Sequence, residues 1–566
     1  MRNDRGVLSC LVEHFFRRFF DNDTMQAEGD TQTSVVRAIA IVAVPGLMFA
    51  FWLQNQYPQR GLWGSIEDQY FFVMFSVVVM GMVVIFEWGM LFPDTLDFLI
   101  LSPISIRPRQ MLGAKATALG MFIGLFLVAC NLCGTLMLPA ITTHVVRVNG
   151  QARIVGDFWR QLAAHAVAVS MAGLFASLLF LAIGGVLLCL LSAKQFRVVS
   201  PLVQTVSVMA LVLLLLQYVR YADAMKLMLS GPLGWMRWEP TLWFLAVYER
   251  LSYGSAAPGF AWQLCGYAYR AVAITALVAV ATYPLAWARM RSMAIEGGVK
   301  RTSEPPRWIA RVIHLVVREP GERAVFHFIG QTIARNNQYQ VYLAMYCGTG
   351  LALAMACAVT FHAMGTTGWA LSEEGLHAMM PLLVFWVVAG LRAAFAFPMN
   401  LPAAWVYRIA RVRSDALNEC AQAASRWALI CAFGVVVCIT AALAGLGWDM
   451  RRLLVQLVSG VCLAVLLTDA FFKYLQRVPF AQPRMPGKTS LPLMLTLYVG
   501  VLPVFLFEMV RLEMSLERNL VMLMLVASGA AATHVAVLRL SRRPAESEEE
   551  MEGYEGEFQL LNLAER

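Results

Sequence analysis

Few residues in this chain of 566 have the types and spacing that chemistry needs. Gly487-Lys488-Thr489 is the tail of a nucleotide-binding phosphate loop. That pattern requires a glycine five residues before Gly487, after a strand, and Gln482 stands there instead. Nothing cradles a phosphate, so the chain is expected not to hydrolyse ATP itself. Cys130 and Cys133 form a Cys-x-x-Cys without a second pair to complete a zinc site, inside an apolar run where cysteine acts as a small hydrophobe. The eight histidines are dispersed, and the zinc-protease, nucleophile-elbow and dinucleotide signatures are absent. No catalytic residue, resident cofactor or metal ligand is expected, and the chain reads as a protein without enzymatic activity of its own.

What remains is charge placed in apolar surroundings. Glu87, Arg270, Arg392, Asp469 and Glu508 fall inside or at the ends of long apolar runs, where a charge costs about 2.5–3.5 kcal/mol on insertion scales. Arg270 and Glu508 stand near enough to the ends of their runs to snorkel to the interface. Asp469 has Lys473 four residues on, the spacing of a structural pair along one helix. Glu87 and Arg392 occupy matching places with opposite sign and form the candidate intramembrane charge pair.

The elements that must hold these charges follow from composition. Apolar residues make up 59% of the chain and charged residues 14%, with a mean hydropathy of +0.62, against about 45–50% and about 25% in soluble domains. That excludes a soluble multidomain enzyme, a disordered chain and a fibrous one. Apolar windows long enough to span a bilayer fall at 35–53, 70–92, 116–138, 166–191, 198–218 and 264–286, then at 341–364, 379–397, 427–446, 453–472, 491–510 and 520–540. The fold expected is an all-α polytopic membrane protein of about twelve transmembrane helices. No apolar segment with a cleavage site precedes the first span. The formal charge of +9 conceals an acidic tail, for Ala545–Arg566 holds eight Glu and one Arg. The basic residues elsewhere are scattered between apolar runs, which suits anionic lipid and topology and not nucleic acid. Most basic loops fall on one side, which is therefore expected to be cytoplasmic with both termini, whereas 362–377 on the other side carries Glu373 and Glu374 and no Lys or Arg. The segment 220–257 lies on that other side and is rich in Trp and Tyr, which predicts a half-inserted cap.

The spans divide into two six-span halves that read as pseudo-repeats. Phe92-Pro93-Asp94-Thr95-Leu96 ends the second span and Phe397-Pro398-Met399-Asn400-Leu401 the eighth. An Arg-x-Arg follows each, at Arg107 and Arg109 and at Arg411 and Arg413, one residue out of frame, while Glu87 and Arg392 stand five residues before each Phe-Pro. An interfacial amphipathic helix precedes each half. In the first, Leu8, Leu11, Val12, Phe15, Phe16, Phe19 and Phe20 share a face. In the second, Trp308, Val312, Leu315 and Val316 oppose Arg307, Arg311 and Arg318. The chain thus divides into a cytoplasmic N-terminus at 1–34, a first membrane half at 35–288, a cytoplasmic linker with an amphipathic helix at 289–340, a second membrane half at 341–540 and an acidic cytoplasmic tail at 541–566. Beyond Pro93, Leu96, Leu99, Ile100 and Ile104 give the apolar face of a short helix.

These features together resemble the membrane subunits of type-2 ABC exporters. There a Leu-rich stretch after the second span, similar to Leu96-Asp97-Phe98-Leu99-Ile100-Leu101-Ser102-Pro103-Ile104-Ser105, is followed by a lysine like Lys115, and an outer cap resembles Pro240–Phe244. The second half departs from that wording, since 401–415 contains Ala-Ala-Trp-Val-Tyr-Arg in place of Leu-Ser-Pro-Ile-Ser. The resemblance implies a multi-pass permease of a bacterial inner membrane, a fused pair of halves driven by separate cytoplasmic ABC ATPase subunits that bind the ATP. Leu96, Leu99, Ile100, Ile104, Arg107, Arg109, Arg411 and Arg413 would then be coupling elements toward the ATPase. The alternative is an ion- or proton-coupled secondary transporter of twelve spans.

Overall fold

A computed structural model describes residues 2–20, 31–57, 62–92, 106–148, 151–155, 157–218, 225, 229, 234–295, 317, 319–362, 368–396, 416–472, 479–480 and 491–541. In hydrocarbon no water is present to satisfy N–H and C=O groups, so apolar segments close their hydrogen bonds internally as helices. The described residues accordingly form fifteen α-helices. The first eight are α1 (Arg2–Arg18), α2 (Thr31–Gln54), α3 (Leu62–Phe86), α4 (Pro108–Thr142), α5 (Phe158–Leu190), α6 (Ala193–Leu216), α7 (Pro240–Tyr253) and α8 (Gly259–Ile295). The remaining seven are α9 (Pro320–Arg335), α10 (Asn337–Ala358), α11 (Glu373–Ala396), α12 (Ala416–Gly445), α13 (Met450–Phe472), α14 (Leu491–Arg518) and α15 (Leu520–Ser541).

Ten of these, α3, α4, α5, α6, α8, α10, α11, α12, α13 and α15, are long and apolar enough to cross a membrane. The chain is a multi-pass helical membrane protein. Helices α4, α5 and α8 run to 35, 33 and 37 residues, or about 50–55 Å at 1.5 Å per residue, longer than a ~30 Å hydrocarbon core. The all-α expectation holds, with two short additions. Two antiparallel hairpins join helices: β1 (His144–Val148) with β2 (Gln151–Val155), and β3 (Val359–His362) with β4 (Gly368–Leu371). The first flanks Asn149-Gly150, a dipeptide that favours a tight hairpin turn over helix.

Two helices are enclosed by protein. Helix α3 packs on α4, α5, α6 and α7, and α11 packs on α10, α12, α13 and α14. A polar clamp fastens the first group. Asn131 of α4 donates to Ser76 Oγ of α3 at 3.1 Å, and Ser76 donates to the Val169 carbonyl of α5 at 2.8 Å. In hydrocarbon such bonds add specificity to packing that has no hydrophobic driving force of its own. Around these centres the packing recurs: α3–α4, α3–α5, α4–α5, α3–α6, α5–α6 and α5–α8 have counterparts in α11–α12, α11–α13, α12–α13, α11–α14, α13–α14 and α13–α15. Helices α1 and α9 likewise lie on α4 and α12. The correspondence stops at α2 and α10, for α2 packs on α4 whereas α10 packs on α11 and along α6.

The α6–α10 seam joins two apolar cores, one drawn from α1–α8 and the other from α9 onward. It closes at Gly348, where an added Cβ would stand 2.6 Å from the Thr205 carbonyl oxygen and 2.8 Å from Val208 Cβ. Gly434 of α12 has open space around it. Gly348→Ala is therefore expected to destabilise the chain by about 1–3 kcal/mol through overpacking, with Gly434→Ala neutral or slightly stabilising. Thermal unfolding of the two variants in detergent checks this.

Candidate functional site

The sequence-predicted site residues fall into three groups. Leu96, Leu99, Ile100, Ile104, Arg411 and Arg413 lie outside the described residues, as do Phe397 and, apart from Val317, the amphipathic stretch at 307–318. Arg107 and Arg109 are exposed at the first turn of α4. Pro108 opens that helix, where its missing N–H costs nothing, and the Arg107 N–H donates to Gln110 Oε1 at 3.2 Å. Two guanidinium groups thus project from one end of a long helix. Glu87 and Arg392 form the third group. Glu87 is buried just past α3, Arg392 is half-buried in α11, and the cation that acts on Glu87 is Lys115 of α4.

Lys115 is 1% exposed, a rare state for an ammonium. Amphipathic α1 covers it. The Lys115 Nζ stands 5.0 Å from the Phe15 ring centroid and 5.2 Å from that of Phe19, both within cation–π range. Phe19 stacks on Phe122 at 4.7 Å, and Phe20 lies beside Phe122 and Phe126. The α1 phenylalanines, spaced to share one face, therefore bury the charge and seat the helix. Position 115 is where the sequence resemblance puts a lysine, but its partners could be found only in three dimensions.

The second half has its own version at α9, sixteen residues that the sequence reading did not single out. Glu322 is fully buried and meets Arg426 Nε of α12 at 2.9 Å, off the N–H axis. Burial raises the Glu322 carboxyl above the usual range, Arg426 opposes that, and Glu419 and Glu319 add to it. Phe326 stacks on Trp427 at 4.9 Å, and Trp427 Nε1 donates to the Phe326 carbonyl at 2.9 Å. Nearby, Phe480 has φ of 65°, a strained value for a bulky residue. Its N–H donates to the Phe395 carbonyl at 3.1 Å, and its ring packs on Phe395, Phe328 and Tyr339.

Beyond the membrane-spanning helices, the predicted cap at 220–257 contains α7, packed between α3, α5 and α8. Phe244 and Tyr248 are buried and Trp238 is exposed. Gly254, with φ of 59°, ends the helix in a conformation that suits glycine, and its N–H donates to the Arg250 carbonyl. At the start of α7, Glu239 Oε1 accepts from Tyr70 at 2.6 Å and from Thr241 at 2.8 Å. Glu249, 1% exposed, has one carboxylate oxygen without a hydrogen-bond partner, and burial pushes its pKa up to about 8. These acids were missed because Glu239 and Glu249 sit in a loop-like stretch of ordinary polarity.

The other charges noted in the sequence find local partners. Glu508 and Arg511 form an exposed pair at 3.7 Å. Arg270 stays exposed, its guanidinium 4.6 Å from the Tyr267 centroid. Asp469 meets His534 of α15 at 2.7 Å, a cross-helix partner, while Lys473 lies outside the described residues. Among the described residues no group of three or more His, Cys, Asp or Glu side chains is placed to hold a metal ion. No protein-family profile, curated protein or solved structure matches this chain.

Two predictions follow from these burials. Lys115→Met removes the ammonium that the Phe15 and Phe19 rings cover and that acts on the buried Glu87, which should loosen the seat of α1 at a loss of stability. Adding Glu87→Gln should recover most of that loss, as read by unfolding in detergent and by proteolysis of α1. For Glu249, the folded state holds the proton up to about pH 8, whereas an unfolded glutamate releases it near its ordinary value of 4.5. Stability therefore falls as pH rises between those values, and Glu249→Gln should flatten that part of the stability–pH curve.

Proposed function

We propose that this chain is the membrane permease subunit of an ABC-type exporter, driven by separate cytoplasmic ABC ATPase subunits that bind the ATP. In this reading the chain has twelve spans in two six-helix pseudo-repeats in a bacterial inner membrane, with both termini cytoplasmic. The observation that carries it is the recurring packing: six helix pairs around α3 have counterparts around α11, and an amphipathic helix lies on the third long helix of each set. Two similar halves in one chain suit a pathway between them. Helix α2 and α14 supply the two further spans beyond the ten counted by length and apolarity.

The exposed Arg107 and Arg109 at the start of α4, beside the seat of α1, are the described part of the surface that would meet the ATPase. A stroke delivered there has a direct mechanical route, because α4 carries Lys115 beneath α1 and Asn131 in the clamp on α3 and α5. One observation favours the second reading, a proton-coupled secondary transporter: the Asp469–His534 pair sets two titratable groups against each other between α13 and α15.

Purification of the native membrane complex decides between them. The exporter reading expects an ABC ATPase to co-purify, no ATP hydrolysis by the isolated chain, and weakened ATPase binding or stimulation in the Arg107→Ala, Arg109→Ala double variant with insertion unchanged. Robust ATP hydrolysis by the pure chain would refute it. Transport by the chain alone in vesicles carrying a proton gradient would establish the alternative.

A further inference from the structure

At the end of the second half remote from α9, His377 of α11 is 2% exposed and lies between two carboxylates of α14. Its Nδ1 is 3.4 Å from Glu513 Oε2 and its Nε2 is 3.7 Å from Glu517 Oε1. Both ring nitrogens thus face acceptors. A neutral imidazole has one N–H and one lone pair, so it can serve only one of two ionised carboxylates. The other nitrogen would then point its lone pair at a negative oxygen. The arrangement is satisfied when the group holds one proton more than a neutral imidazole and two carboxylates, either as imidazolium or as a protonated glutamate donating to the ring.

The surroundings agree with that proton count. From α13, Arg452 reaches Glu517 Oε2 at 3.8 Å and Glu373 of α11 at 2.7 Å, while Arg451 turns to the Arg518 carbonyl. From the turn before α13, Trp448 lays its ring 4.8 Å from the imidazole, and Asp449 beside it is exposed. Ser459 of α13 donates to Glu513 Oε1 at 3.1 Å, whereas Glu513 Oε2 and His377 Nδ1 have no hydrogen-bond partner. Glu374 is exposed, and no further charged side chain of α10 or α12 pairs with His377 among the described residues. With the extra proton, the buried His377 and Glu513 and the half-buried Glu517 and Arg452 sum to zero charge. Without it they carry a net negative charge.

We propose that His377, Glu513 and Glu517 form a proton-binding latch that fastens α11 to α14, closed while the extra proton is held and released when it is lost. The latch is independent of what the chain transports and of what drives transport. It joins the enclosed central helix of the second half to α14 and, through Arg452, to α13 at the end where α11 begins.

Hydrogen–deuterium exchange of the full-length chain in lipid nanodiscs tests it, with rates corrected for intrinsic pH dependence and α3 as an internal reference. In the unmodified protein, the first two turns of α11 and the last two of α14 should exchange at least about tenfold faster near pH 8.5 than near pH 5.5. Glu513→Gln supplies an amide that can donate to the ring while the ring donates to Glu517, so protection should be high at both pH values. Glu517→Gln gives the mirror arrangement and the same expectation, which keeps the test open should one variant fold poorly. His377→Gln should exchange fast at both. Exchange in the unmodified protein that does not change with pH overturns the latch, as does a Glu→Gln variant that keeps the full pH dependence.

Discussion

The fold rests on enclosing one helix per half. Helices α3 and α11 have protein on nearly every side, with 72% and 67% of their apolar windows buried against the rest of the molecule, more than any other helix that meets the spanning criterion. In lipid the hydrophobic effect does not draw helices together, so close packing and hydrogen bonds must do so. The Ser76–Asn131–Val169 clamp meets that requirement in the first half, since it ties α3 to two neighbours through groups that hydrocarbon would leave unpaired. In the second half, Trp386 of α11 donates to the Tyr346 carbonyl of α10 at 2.6 Å and packs on its ring. Lipid-facing helices, such as α15 with 11% of its window buried, depend on this frame and add little to it.

Charge then marks the ends of the enclosed helices. Glu87 follows α3 and faces Lys115, Glu322 meets Arg426 near the start of α12, and His377 meets two glutamates near the start of α11. The first and third lie at ends of the enclosed helices, and the second joins α9 to α12. A buried ionised group without a partner is far more costly than a paired one. The covering elements are consequently held in place by the charges they exclude from water. For α1 the cover is aromatic, and the phenylalanine faces act on the ammonium directly.

The two halves are alike in their internal packing and unlike in how they meet. Helix α10 lies along α6, while its counterpart α2 stays within its own half on α4. The difference is local and steric. Gly348 lets α10 approach the α6 backbone at Thr205, and Met345 of α10 reaches the apolar core of the first half. One helix therefore contacts both cores.

Composition and periodicity by themselves determined that the chain is helical, that it is membrane-embedded, and close to where each long helix lies. Apolar runs of about twenty residues leave the backbone no alternative in lipid, and the phenylalanine spacing of α1 fixes its buried face. The same reasoning singled out Glu87, because a charge in an apolar run stands out in one dimension. It did not find Lys115. A matching position in a repeat pointed to Arg392, whereas the influence of Lys115 on Glu87 comes from another helix, and proximity across helices is set by packing angles and interhelical approach. The hairpins and α9 were hidden for the same reason, since their stability comes from neighbours distant in sequence. His377 lies more than 130 residues from Glu513 and Glu517, and no local pattern joins it to them. Only the folding of α14 against α11 brings these three residues together.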